Sequence, residues 1–266
     1  MQTAISNDGT NISFQQTGTG PTLIMIDPAG GFHGFRPMQE VIPLLTKAFT
    51  VVTYDRRGRG RSTETLPYSP DREVDDLEAL IAATGGEAFL YGFSSGAVLA
   101  LLAGARGLPI KKIAVLEPPL DRYDEPAPQS ELEKEIAAMV AKGQRREAYT
   151  HFSESIGVPP EIIESTHKSL YWPDLEKMAH TIVYDLTVIR SLSTPQLATI
   201  QTPTLVLSSE TTGQLMHDWS KGTADRLQQG EHLALKGDWH GVPVDVLAPK
   251  LIAFFNDEPA SKRNTP

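Results

Sequence analysis

Cysteine is absent from the 266-residue chain, which excludes disulfides, thiolate metal sites and a cysteine nucleophile. A basic excess is absent too. Lys and Arg number 24 against 33 Asp and Glu, for a net charge of −9, so neither nucleic acid nor an anionic membrane is an expected partner. No apolar run approaches the roughly 18 residues that a membrane span needs. The opening residues Met1–Asp8 hold no basic segment followed by an apolar one, so no secretory signal is read there and a cytoplasmic location is expected. Dinucleotide-binding and phosphate-cradling glycine loops are missing, as is any metal-spaced histidine cluster, so no cofactor and no metal are expected.

What is present is an ordinary globular composition, 40% hydrophobic and 21% charged, at a length that suits one α/β domain carrying an insertion. Ile5 and Ile12 to Phe14 flank the turn residues Asn7-Asp8-Gly9-Thr10, a hairpin pattern. Continuous apolar runs at Thr22–Ile26, Phe49–Tyr54, Ala88–Tyr91, Lys112–Glu117 and Thr204–Ser208, with His232–Leu235 last, read as strands of a mostly parallel, eight-stranded sheet. Helices are expected at Pro37–Ala48, Pro70–Thr84, Ala97–Ala105, Gln214–Gln228 and Val244–Phe255. Between about 120 and 200 strand signals vanish. Helical periodicity there covers Glu131–Lys142, Gln144–Ile156, Pro160–Leu170 and Asp174–Leu192. This divides the chain into a core of 1–119 and 201–258, a helical lid at 120–200, and a polar tail at 259–266.

The stretch around which the rest is organised is Gly92-Phe93-Ser94-Ser95-Gly96. A G-x-S-x-G turn between a strand and a helix is the setting of a nucleophile elbow, which lifts Ser94 to a helix N-terminus where a developing negative charge is favoured. A serine nucleophile needs a base, and the base an orienting acid. His240, in Gly237-Asp238-Trp239-His240-Gly241 after the last strand, is the expected base. The acid is Glu117, at a strand end where Pro118 is expected to hold it extended, or Glu210, just after the strand Thr204–Ser208. Glu117 is favoured. An oxyanion hole needs two preorganised amides. Ser95 supplies one and Ala29 the other, since the neighbouring Pro28 has no N–H. Phe32, Phe93, Trp172 and Tyr184, with Met178, His180 and Val183 nearby, are candidate pocket linings.

On these residues the chain resembles the α/β-hydrolase-fold enzymes over essentially its whole length. Asp55-Arg56-Arg57-Gly58-Arg59-Gly60-Arg61-Ser62 matches the family's D-x-R-G-x-G-x-S signature, which implies a structural turn with locally paired Arg and Asp. The family's usual His-Gly after the third strand is Asp27-Pro28 here. Ser94-Ser95-Gly96-Ala97, the turn at 27–31 and Glu117-Pro118-Pro119 are similar to the zearalenone lactonase group. That group, like some haloalkane dehalogenases, takes its acid from the strand after the elbow, which points again to Glu117. The expectation is a serine hydrolase acting on a small hydrophobic ester or lactone. A C–C bond hydrolase or cofactor-free perhydrolase, and a non-catalytic ligand-binding protein on the same scaffold, are the alternatives.

Overall fold

The computed structural model describes residues 1–121, 124–238 and 240–257; the tail expected at 259–266 lies outside them. Eight strands form one sheet: β1 (Gln2–Ile5), β2 (Asn11–Thr17), β3 (Thr22–Ile26), β4 (Thr50–Tyr54), β5 (Ala88–Phe93), β6 (Ile110–Leu116), β7 (Thr204–Ser209) and β8 (Gly230–Leu235). Their order is β1-β2-β4-β3-β5-β6-β7-β8. The β1–β2 and β2–β4 pairs are antiparallel and the pairs from β4 to β8 are parallel. Successive side chains of a strand face opposite sides, and the sheet obeys this in both its cores. Ile24, Ile26, Val52, Leu90 and Val115 join one buried cluster, while their neighbours Leu23, Met25, Val51, Phe89, Tyr91, Ala114 and Leu116 join the other. A sheet buried on both faces needs apolar residues at every position, which is why these strands read as unbroken runs.

On the first face lie α2 (Pro70–Ala83) and α3 (Ser95–Ala105). Helix α3 is buried from Ser95 to Gly104, as expected of a helix apolar all round. The other face carries α1 (Ile42–Leu45) and, at the end of the chain, α11 (Val244–Asn256). The helix expected over Pro37–Ala48 is only a 3-10 turn, Gln39–Val41, followed by the single turn of α1. Pro43 falls in that turn and lacks the N–H that would continue a ladder from the residues before it.

Between β6 and β7 the chain forms α4 (Glu131–Ala141), α5 (Arg145–Ser155), α6 (Pro160–His167), α7 (Trp172–Lys177), α8 (Thr181–Ser191) and α9 (Thr194–Leu197). The helix expected over Asp174–Leu192 is broken between α7 and α8. The Met178 carbonyl there accepts from both the amide and the hydroxyl of Thr181, closing a turn where a straight helix would run on. Helix α10 (Gln214–Ala224) follows β7. Among the described residues no helix is long and apolar enough to cross a membrane.

Candidate active site

The elbow forms where the G-x-S-x-G pattern puts it. Ser94 has φ 53° and ψ −120°, outside the regions that side-chain-bearing residues ordinarily occupy. Its amide donates to the Leu116 carbonyl at 3.0 Å, so the serine is tied directly to the end of β6. The two flanking glycines are required by contact rather than by φ. A Cβ on Gly92 would stand 2.4 Å from the Gly96 carbonyl oxygen, and one on Gly96 would stand 2.3 Å from that of Ile26. Strand β5, helix α3 and strand β3 approach this closely only with bare backbone between them.

The residue after Leu116, just past the end of β6, is Glu117, which is fully buried. Its carboxylate is saturated with donors. One oxygen, Oε1, accepts from the amide and the hydroxyl of Ser209 at the end of β7. The other, Oε2, accepts from the His240 amide at 2.9 Å and stands 2.6 Å from His240 Nδ1. Burial alone would raise this carboxyl, but the His240 and Ser209 hydrogen bonds outweigh it and bring it down from the usual 4.5 to about 2. His240 sits in a turn closed by hydrogen bonds exchanged between Asp238 and Gly241, and its ring meets Phe93 edge-on at 4.9 Å. The imidazole therefore lies against the residue that precedes Ser94, with Nδ1 turned to Glu117 and Nε2 on the opposite side of the ring.

Glu117 is not held extended by Pro118: its φ is 46°. The contacts just described, together with its amide donating to Leu207, dictate the backbone and override the local preference. Ser94, Glu117 and His240 are the non-glycine residues with positive φ among the described residues. Strain of roughly 1–3 kcal/mol at each such position persists only where the surroundings over-determine it. Glu210 is exposed, and its amide is spent on the Leu235 carbonyl. The residue missed from sequence is Ser209, at the end of β7, whose amide and hydroxyl both donate to Glu117.

A carboxyl held low in the folded state stabilises the fold above its unfolded value, and that contribution is lost as pH falls from 4.5 towards 2. The stability difference between the wild type and Glu117→Gln, measured by urea denaturation, should shrink by roughly 3 kcal/mol between pH 6 and pH 2. A difference that stays constant with pH would mean that Glu117 is not charge-paired in the fold.

Neither the Ala29 amide nor the Ser95 amide, the latter directly after Ser94, donates to an acceptor among the described residues. Ala29 packs against the inserted helices, beside the cluster of Ile136, Ala148, Phe152, Ala179 and Ile182. Of the candidate pocket residues, Phe93 touches His240, whereas Phe32 and Trp172 are buried together with Leu175 and Met178. The Tyr184 ring stacks on Tyr68 at 3.8 Å and its hydroxyl donates to Glu64, while the neighbouring Asp185 of helix α8 is fully buried.

Arg56, Arg57 and Arg59 of the signature are buried, and their pairs are not local. Arg56 forks onto Glu73, with Nε and Nη2 each 2.7 Å from an oxygen, and Arg57 forks onto Asp76 in the same way. Arg56 and Arg59 both reach Asp185, more than 120 residues along the chain. Asp55 binds the His33 amide and ring. Charges taken out of water persist only when paired in this way, and removing one partner of such a pair costs about 3–5 kcal/mol.

The alpha/beta hydrolase family profile matches residues 28–250. An alpha/beta hydrolase from Sphaerobacter thermophilus is 38% identical with a TM-score of 0.85, covering 96% of this chain and all of that one. An uncharacterized hydrolase, YraK, of Bacillus subtilis is 38% identical over 101 residues, 35% of either chain. The enol-lactonase of Burkholderia xenovorans shares the fold at a TM-score of 0.70 and 18% identity, covering 96% of this chain and all of that one. With the sheet order, the elbow and a match over most of its length, the chain belongs to the alpha/beta hydrolase family.

Proposed function

We propose that the protein is a serine hydrolase that cleaves a carboxylic ester or lactone through an acyl-enzyme. The observation that carries this reading is the Glu117–His240 contact of 2.6 Å, made one residue beyond the Leu116 carbonyl that holds Ser94. Ser94 Oγ attacks the carbonyl carbon while His240 Nε2 takes its proton, and Glu117 stabilises the imidazolium so formed. The oxyanion is received by the amides of Ala29 and Ser95. Collapse expels the alcohol, which leaves with the proton from Nε2; in a lactone it stays tethered to the acyl group. Water, deprotonated by His240, then attacks the acyl carbon, and the second collapse releases the acid and returns the proton to Ser94.

Residues 120–200 act as a lid on the core of 1–119 and 201–258. The reading is supported by the apolar cluster of α4, α5 and α8 lying on Ala29, an environment suited to a hydrophobic acyl group and to keeping water from the site. A fluorophosphonate probe tests the proposal. The expected result is one stoichiometric adduct on the peptide containing Ser94, absent in Ser94→Ala. No labelling, or labelling at another residue, would overturn it.

A further inference from the structure

Asp185 is fully buried, yet it comes from α8 in the inserted segment rather than from the sheet. Its Oδ1 accepts from the Ser95 hydroxyl at 2.7 Å and from Arg56 Nη1 at 2.6 Å. Its Oδ2 accepts from Arg59 Nη2 at 2.7 Å. The other arm of Arg59, Nη1, donates to the Pro28 carbonyl at 2.9 Å. These contacts meet the Pro28–Ala29 peptide unit, whose N–H is one donor assigned above to the oxyanion hole, and the side chain of Ser95, whose amide is the other. In a trans peptide the C=O and the following N–H point in opposite directions. Anchoring the Pro28 carbonyl on the buried arginine therefore fixes the direction of the Ala29 N–H. Anchoring the Ser95 side chain likewise fixes the residue whose amide is the second donor. Arg56 is braced in turn by Glu73, and Glu73 by the Tyr68 hydroxyl.

We infer that Asp185 is a positioning residue, through which seating of α8 aims both oxyanion donors, Ser95 directly and Ala29 by way of Arg59. The inference rests on the serine hydrolase reading. It means that the hole is complete only when the inserted helices are docked. One carboxylate then couples closure over the substrate to stabilisation of the transition state. The sequence carried a signal for it: Asp185 is the acidic residue of α8, spaced three from Ile182 and three from Val188, both buried. A carboxylate on the apolar stripe of a helix is out of place unless cations meet it.

The test compares wild type, Asp185→Asn and Ser95→Ala on a p-nitrophenyl ester, and measures inhibition by a trifluoromethyl ketone that forms a serine hemiketal with an anionic oxygen. Deleting one oxyanion donor costs roughly 100- to 1,000-fold in kcat, so misaiming both should cost Asp185→Asn about 10- to 100-fold with KM within about threefold of wild type. Ketone affinity should fall by about the same factor as kcat, because both report the anionic oxygen. Ser95→Ala keeps the Asp185–arginine pairs and loses the hydroxyl's bonds to Asp185 and Arg56; it should lose about 3- to 10-fold in kcat with KM unchanged. If Asp185→Asn does not fold, Ser95→Ala decides. A folded Asp185→Asn with wild-type kcat and ketone affinity would overturn the inference, as would a Ser95→Ala variant equal to wild type. Failure of the hydrolase reading is recognised separately, by a wild-type protein that the fluorophosphonate does not label at Ser94.

Discussion

Ser94→Ala should lower turnover of a p-nitrophenyl ester on the order of 10⁴- to 10⁶-fold while leaving the fold intact. The argument is chemical before it is structural. No other hydroxyl among the described residues sits at the strained N-terminus of a helix beside the Glu117–His240 pair, so the variant has no substitute nucleophile. Residual activity would come from the amides and the pocket, which still bind the carbonyl. Stability is expected to separate from activity. At φ 53° and ψ −120° an alanine is as strained as the serine, whereas glycine is not. Ser94→Gly should therefore be about 1 kcal/mol more stable than Ser94→Ala. Both should be equally inactive. Denaturant melts of the two variants, set beside their kinetics, check this; an alanine variant that keeps wild-type turnover would put the nucleophile elsewhere.

Glu117→Gln should cost about 10³- to 10⁴-fold in kcat, and Glu210→Gln less than about twofold. In the wild type, Glu117 Oε2 faces two donors of His240, the backbone amide and Nδ1. A glutamine bonded to Ser209 through its oxygen presents an NH₂ group to them instead. The ring must then keep Nδ1 bare and carry its proton on Nε2, the nitrogen that should accept from Ser94. Stability should fall as well, because the His240 amide loses its acceptor in a buried setting. Glu210 has no such contact and its side chain is in water. Steady-state kinetics of the two variants, side by side, distinguish the cases. Equal, small losses would mean that neither carboxylate orients the imidazole.

Local pattern revealed the sheet, the elbow and the candidate residues because each leaves a short-range mark. Unbroken apolar strands announce burial on both faces, and the glycines at 92 and 96 announce a close approach that no Cβ survives. The choice between Glu117 and Glu210 was harder, because it turns on which strand end faces the His240 turn. That is a matter of how β6, β7 and the loop after β8 lie side by side. The extended backbone expected of Glu117 from Pro118 does not form, since contacts with Ser209 and His240 outweigh a local steric preference. The arginines of 55–62 were legible as scaffold, but their partners were not. Asp185 lies more than 120 residues away, on a helix whose start was itself hidden within a longer helical pattern. The phase of α8 was hidden for the same reason, so the face that buries Asp185 could not be told from the one whose Tyr184 stacks on Tyr68.

A crystal structure of the phosphonylated protein tests the central claim most directly. The account predicts phosphorus bonded to Ser94 Oγ, with the phosphoryl oxygen about 3 Å from the amides of both Ala29 and Ser95. His240 Nε2 should stand within hydrogen-bond reach of Oγ while Nδ1 stays on Glu117. A phosphoryl oxygen turned away from both amides, or an imidazole out of reach of Ser94 in the adduct, would contradict it.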